Sequence, residues 1–145
     1  MRVELEERYL QFTNEYGVPE LPKSLFRIGG DEETEEARRL LRERIDDKLH
    51  VEELREPAKG WFYAWMGPED FRWFLPKMIK SIMEGDYRGT EWLMDRCTGR
   101  NIAGLTERER RAFSEWLDWA ASYGYVQSSR ERAAARLIKK LLATE

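Results

Sequence analysis

The sequence predicts an all-α domain of five or six helices, with at most one short β element. Apolar residues recur at steps of three and four along most of the chain, which is the period of a helix that buries one face. Helix-starting patterns precede several of these stretches, and glycine or proline follows them. The 145 residues match the usual size of one domain, so we expect a single helical domain over residues 1–145.

The first helix is predicted over residues 3–16, where Gly17 is a natural end. Its apolar stripe consists of Leu5, Tyr9, Phe12 and Tyr16. A second helix is predicted to begin near residue 31 and to continue to residue 45. Five acidic residues crowd its first turn, where the helix dipole favours negative charge.

A central helix is predicted to begin after Gly67, because proline suits the first helical position and Glu69 and Asp70 follow Pro68. Pro76 lies inside this helix and is expected to kink it or split it in two. An aromatic-rich stretch, residues 61–66, precedes the helix and fits either a buried strand or a helix end. The apolar face is predicted to hold Phe71, Phe74, Leu75, Met78, Ile79 and Ile82.

Three further helices are predicted in the C-terminal part. A short helix is expected to be capped by Thr90, and residues 97–104 are predicted to form a loop. Capping boxes at Thr106–Glu109 and Ser128–Glu131 predict the starts of two longer helices. Their predicted buried stripes are Phe113, Trp116, Leu117, Ala120 and Tyr123, ending at Gly124, and Ala134, Leu137, Ile138 and Leu141.

Charge and composition exclude several classes of function. The net charge is −3, and neither half of the chain is strongly basic, so nucleic-acid binding is not favoured. No run of about 18 apolar residues is present, so no membrane span is expected. Acidic residues stand where a signal peptide would be apolar, which favours the cytoplasm.

The sequence offers few groups for catalysis or metal binding. A single cysteine, Cys97, and a single histidine, His50, leave little for thiol-zinc or histidine chemistry, so we expect no cofactor and no metal. Asp46, His50 and Glu53 share one helical face if the second helix extends that far, which is a weak metal-ligand pattern. Because Arg96 and Arg100 flank Cys97, a lowered thiol pKa is expected there.

The candidate binding residues come from two charged segments. On an ideal helix Trp73 falls opposite the apolar stripe, beside Lys77 and Lys80, as an exposed anchor for a protein or a nucleobase. Trp119, at the edge of its own stripe, is a weaker candidate of the same kind. Arg72 could stack on Trp73 or Trp65 or pair with Glu69. The acidic residues Glu33, Glu35 and Glu36 could steer a basic partner.

Residues 64–76, AWMGPEDFRWFLP, resemble a segment shared by an uncharacterised bacterial family. In that family an aromatic-rich approach leads to a Pro-Glu-x-Phe-Arg-x-Tyr-Leu-Pro core, and Phe74 stands here where tyrosine is more usual. The acidic helix near residue 31 and the helix after Leu105-Thr106 have counterparts in the family. The resemblance covers residues 30–124 and supports the helical fold. The family has no assigned activity, so it supplies no catalytic residues.

These observations favour a small cytoplasmic protein that binds another protein without catalysis, such as an inhibitor or an immunity-like factor. The oligomeric state stays open. One alternative is an enzyme with an arginine or carboxylate site near residues 61–72, and a pocket where Arg72, Glu69 or His50 converge would favour it. Another is weak binding of single-stranded nucleic acid through Trp73, Lys77, Lys80, Arg88 and Arg96.

Overall fold

The computed structural model describes residues 2–17, 19–20, 67–85 and 89–144 of the chain. These residues form six α-helices and no strand, which confirms the predicted all-α class. The helices are α1 (Val3–Tyr16), α2 (Pro68–Met83), α3 (Gly89–Arg96), α4 (Gly99–Ala103), α5 (Glu107–Tyr123) and α6 (Ser129–Ala143). The helix predicted near residue 31 and the aromatic stretch 61–66 lie outside the described residues.

The described helices share one apolar core. α1 packs along α5, which in turn packs against α6, while α2 contacts α1, α3 and α4. α2 is the most buried helix, since neighbouring helices contact it on several sides and even its polar Asp70 is buried. Eight large side chains are almost completely enclosed: Trp116, Phe12, Phe71, Phe74, Phe113, Leu75, Ile79 and Ile82.

Both predicted capping boxes are confirmed. The Thr106 hydroxyl accepts from the Glu109 N–H at 3.2 Å, and the Glu109 carboxylate accepts from the Thr106 N–H at 2.8 Å. Ser128 and Glu131 make the same reciprocal pair at the start of α6. Each box satisfies backbone donors that the first turn of a helix leaves without partners.

The loop predicted over residues 97–104 is wrong, because α4 lies within it. The Thr98 hydroxyl caps this helix by accepting from the Asn101 N–H at 3.2 Å. The Asn101 side chain also donates to the Arg96 carbonyl at 2.8 Å, at the end of α3. Thr90 does not cap α3 as predicted, since α3 begins at Gly89 and Thr90 lies buried inside it.

Pro76 lies in the middle of α2 without splitting it, so the predicted split is wrong. Proline has no backbone N–H, and the carbonyl of Arg72, four residues earlier, therefore lacks its helical donor. The Tyr16 hydroxyl, at the end of α1, donates to that carbonyl at 2.6 Å. Tyr9 donates to the Pro76 carbonyl at 3.2 Å. The two tyrosines thus join α1 to α2 at the point where proline weakens the helix.

Removal of the Tyr16 hydroxyl tests this arrangement. Tyr16→Phe is expected to lower the free energy of unfolding by about 1–2 kcal/mol, because the Arg72 carbonyl loses its donor. In a Pro76→Ala background the same change is expected to cost less, because the restored backbone N–H bonds to that carbonyl. Urea unfolding of the four proteins measures both losses. Equal losses in the two backgrounds would show that the hydroxyl does not compensate for the proline.

Candidate functional site

Three aromatic rings gather where α5 ends. Trp119 and Tyr123 are one helical turn apart on α5, and Gly124 ends the helix in the left-handed conformation, with φ of 110°. This conformation favours glycine because an L side chain is strained there. The N–H groups of Gly124 and Tyr125 both donate to the Ala120 carbonyl, at 3.1 and 2.9 Å. The turn therefore returns Tyr125 to the same side as the other two rings.

The rings of Trp119, Tyr123 and Tyr125 form a close triangle. Trp119 and Tyr123 are stacked, with centroids 4.9 Å apart and planes 22° apart. Tyr123 and Tyr125 are stacked at 5.4 Å and 24°. Trp119 and Tyr125 close the triangle at 5.8 Å. Tyr123 is 42% exposed and the other two rings are half-buried, so we call these three residues the aromatic surface.

The aromatic surface is anchored to the core by contacts of Trp119 and Tyr125. Trp116 is fully buried one turn earlier on α5, and its ring centroid lies 6.4 Å from that of Trp119. The Tyr125 hydroxyl donates to the Met83 carbonyl at 3.4 Å, at the end of α2. Burial raises the pKa of the Tyr125 hydroxyl above its ordinary value, and Tyr123 adds to this. These contacts hold the rings in a fixed arrangement.

A cation lies over one edge of the aromatic surface. The guanidinium carbon of Arg8, on α1, is 5.6 Å from the centroid of the Trp119 ring. Such a cation–π contact is worth about 0.5–1 kcal/mol at a partly exposed site. Arg8 therefore covers one face of the Trp119 ring, and the Glu115 carboxylate lies within electrostatic range of the same cation.

A small pocket of about 210 Å³ adjoins the aromatic surface at Tyr125. The described residues that line it belong to the ends of α2 and α5 and to the starts of α3 and α6. They are Ile82, Gly85, Thr90, Gly124, Tyr125, Gln127 and Glu131. Its volume is comparable to that of one or two amino-acid side chains.

The predicted exposed anchor on α2 is wrong, because Trp73 is only 7% exposed. Its ring packs edge-on against Phe74, with centroids 4.8 Å apart, and the Lys77 ammonium lies 5.0 Å from its centroid. The helical wheel assumed one buried face, whereas α2 is buried on several sides. Lys77 and Lys80 are half-buried on the same helix, and their role in binding stays a prediction.

Arg72 makes a long-range ion pair in place of the expected contacts with its own helix. Its Nε donates to both carboxylate oxygens of Glu109, at 2.8 and 2.7 Å. The Glu109 side chain is 3% exposed and that of Arg72 is 42% exposed. Burial raises the pKa of the adjacent Tyr16 hydroxyl, Glu109 raises it further, and Arg72 opposes this. This cluster joins α1, α2 and α5 and explains why Glu109 is buried in spite of its charge.

A serine–lysine pair occurs in a shallow groove between α5 and α6, with a volume of about 630 Å³. The Lys139 ammonium donates to the Ser114 hydroxyl at 2.7 Å and to the Asp118 carboxylate at 2.8 Å. An ammonium that donates to both groups has no lone pair with which to accept the serine proton. The pair therefore links α5 to α6 and is not an activated nucleophile.

Cys97 is buried, and the lowered pKa expected from its arginine neighbours is wrong. Burial raises the pKa of the thiol, and its sulfur donates to the Leu93 carbonyl at 3.1 Å. The neighbouring charges do not offset the loss of solvation.

We therefore expect Cys97 to resist alkylation by iodoacetamide at pH 8 in the folded protein. The thiolate is the reacting form, and burial both suppresses it and blocks access. Mass spectrometry over time, with and without guanidinium chloride, measures the labelling. Equal labelling rates in the two conditions would contradict the buried, protonated thiol.

The remaining predicted residues lie outside the described part of the chain. This applies to Glu33, Glu35 and Glu36, whose role in steering a partner stays a prediction, and to the set Asp46, His50 and Glu53. Among the residues that the structure describes, no group of three or more histidine, cysteine or acidic side chains is arranged to hold a metal ion. Within the same ranges, none of the helices is long and apolar enough to span a bilayer.

Sequence reasoning missed Tyr123 and Tyr125 as surface residues. It placed Tyr123 in a buried stripe, but this residue stands at the solvent edge of α5. The available signal was the pair of tyrosines on either side of Gly124, since a left-handed glycine turns the chain back on the last helical turn. Leu137 was also predicted to be buried and is 60% exposed, because the apolar face of α6 is narrower than its sequence pattern.

Comparison with protein-family models, with curated proteins and with solved structures finds no match for this chain. The resemblance of residues 64–76 to an uncharacterised bacterial family therefore stays a prediction.

Proposed function

We propose that this chain is a protein-binding domain that contacts its partner through the aromatic surface and acts without catalysis. One observation carries the proposal: three stacked rings, one of them 42% exposed, are held rigidly at the end of α5. Tryptophan and tyrosine are the residues that most often dominate binding energy at protein interfaces. Rings that are already fixed lose little conformational entropy on binding.

The proposal keeps the protein-binding function expected from the sequence but places the contact surface on α5 instead of α2. The expected tryptophan anchor, Trp73, is buried, whereas Trp119 is half-buried beside the more exposed Tyr123. Cytoplasmic location and an inhibitory or immunity-like role remain part of the proposal. Stacking of a nucleobase on Trp73 loses its support, because that ring is covered and Lys77 lies over it.

Affinity capture from the organism that encodes the chain tests the proposal. The bait proteins are the wild type, Tyr123→Ala, which removes the most exposed ring, and Leu137→Ala, which removes an exposed apolar side chain from α6. We expect a partner that wild type and Leu137→Ala recover equally and that Tyr123→Ala recovers at least tenfold less. Recovery that is equal across the three baits, or no specific partner, would contradict the proposal.

A further inference from the structure

The pocket beside Tyr125 is lined by a buried hydroxyl group that lacks a partner. Thr90 is only 6% exposed, yet its hydroxyl makes no hydrogen bond to any residue that the structure describes. The hydroxyl oxygen is not fully enclosed, so it is accessible from the pocket. Buried polar groups in proteins nearly always have a hydrogen-bond partner. The Thr90 hydroxyl is therefore available to a ligand in the pocket.

Two further side chains bring accepting oxygens to the same pocket. The Glu131 Oε1 atom accepts from the Ser128 N–H at 3.0 Å, whereas Oε2 has no partner within the described ranges. The exposed Gln127 side chain also lines the pocket, and its amide makes no hydrogen bond to the described residues. Thr90, Gln127 and Glu131 thus offer a hydroxyl, an amide and a carboxylate oxygen.

The Glu131 carboxylate determines the charge of the pocket. None of the described residues that line it is positively charged. The two arginines beside Glu131 in α6 have other partners. Arg130 pairs with Glu91 at 3.6 Å, and Arg132 donates to the Gln127 carbonyl. Two helices begin at the pocket and two end there, so their dipoles oppose one another. The pocket therefore favours a cation and disfavours an anion.

The size and walls of the pocket restrict the kind of cation. Ile82 and Tyr125 provide apolar surface, and the volume of about 210 Å³ leaves room for a short chain. A calcium ion takes about six to eight oxygen ligands, whereas the described lining supplies one carboxylate. An ammonium group has three donors and no acceptor, which suits three accepting oxygens. A short alkyl chain that ends in an ammonium group fits both the walls and the oxygens.

We propose that the pocket beside Tyr125 binds a primary alkylammonium group of the size of a lysine side chain. The Glu131 carboxylate, the Thr90 hydroxyl and the Gln127 amide oxygen accept its three N–H donors, and Ile82 and Tyr125 contact the alkyl chain. The group belongs either to a lysine of a bound protein or to a free small amine, since both present the same chemistry. This site goes beyond the proposed function, because a free amine can occupy it without a protein partner.

Titration of the ¹⁵N-labelled full chain with n-butylammonium chloride tests the site by NMR. We expect saturable shifts of the Gly124 and Gln127 amide signals. Sodium chloride at equal ionic strength controls for the effect of salt. 1-Butanol has the same number of heavy atoms and no charge, so it should bind about tenfold more weakly.

Two variants remove the groups that hold the ammonium. Glu131→Gln removes the charge but keeps an oxygen that can accept from the Ser128 N–H, and it is expected to weaken binding about tenfold. Thr90→Val keeps the shape and removes the hydroxyl, and it is expected to weaken binding about threefold. Glu107→Gln, which removes an acidic residue from the first turn of α5, is the matched control and should leave the affinity unchanged. Circular dichroism confirms that each variant is folded.

Three results would overturn the proposal: no saturable shift with n-butylammonium, equal binding of 1-butanol, or an unchanged affinity in both Glu131→Gln and Thr90→Val. Affinity capture with Glu131→Gln as bait then identifies the source of the ammonium group. Loss of a partner that Glu107→Gln retains indicates a lysine of that partner, and retention indicates a free amine. If n-butylammonium binds but Tyr123→Ala loses no partner, the site is supported and the proposed function is wrong.

Discussion

Replacement of Trp116 by alanine is expected to lower the free energy of unfolding by about 3–5 kcal/mol, the largest loss we predict. Trp116 is fully buried, and its ring supports Trp119 at a centroid distance of 6.4 Å. Truncation leaves a cavity at the junction of the core and the aromatic surface. At this chain length the loss corresponds to a fall in melting temperature of roughly 10–15 °C.

Trp116→Phe is the matched control. The indole Nε1 of Trp116 is buried and has no hydrogen-bond acceptor among the described residues. Phenylalanine removes this unsatisfied donor together with part of the ring, so two effects of opposite sign partly cancel. We expect less than half of the loss seen with alanine. Equal losses for the alanine and phenylalanine variants, in thermal and urea unfolding, would contradict the expectation that the buried area of the ring provides the stability.

Arg72→Met is expected to lower the free energy of unfolding by about 2–3 kcal/mol. The change keeps most of the side-chain volume but leaves the Glu109 carboxylate buried without its cation, and such losses reach about 3–5 kcal/mol in fully buried pairs. We expect less here because the Arg72 side chain is 42% exposed, so water screens part of the attraction. Urea unfolding at neutral pH and low salt measures the loss.

A double-mutant cycle separates the ion pair from packing. Glu109→Gln keeps an oxygen that can accept from the Thr106 N–H, so the cap of α5 survives while the charge is removed. The variant with both Arg72→Met and Glu109→Gln is expected to be more stable than Arg72→Met alone, because it no longer buries an unpaired charge. A coupling energy of about 1–2 kcal/mol is expected. Additive losses would mean that the pair contributes nothing beyond its separate contacts.

The sequence predicts the local features of this fold well. The boxes at Thr106 and Ser128 and the ends at Gly17 and Gly124 depend on a few neighbouring residues, and each is confirmed. The short helix α4 was missed because its five residues have no clear apolar period, and its Thr98 cap is not followed by the glutamate that marks a capping box.

The features that depend on distant residues could not be predicted. Arg72 and Glu109 are 37 residues apart, and no local pattern links them. The same holds for Tyr16, whose hydroxyl satisfies the carbonyl that Pro76 leaves without a donor. Trp73 appeared exposed because a helical wheel describes one helix alone, whereas its burial depends on the elements around α2.

The aromatic surface could be predicted from the sequence only in part. The sequence places Trp119 at the edge of its stripe and predicts it as a weaker surface anchor. The position of Tyr125 depends on the left-handed turn at Gly124, and its anchoring depends on Met83 in another helix. The sequence therefore predicts a protein-binding function with Trp73 as an exposed anchor, whereas the function that we propose uses the rings at the end of α5, because Trp73 is buried.

Photo-crosslinking in living cells tests the central claim most directly. A benzophenone side chain introduced at Tyr123 should form a covalent adduct with one partner protein, whereas the same group at Leu137 on α6 should not. Benzophenone keeps an aromatic ring in the surface, so folding and contact are preserved. No adduct from position 123, or the same set of adducts from both positions, would contradict a protein-binding role for these rings.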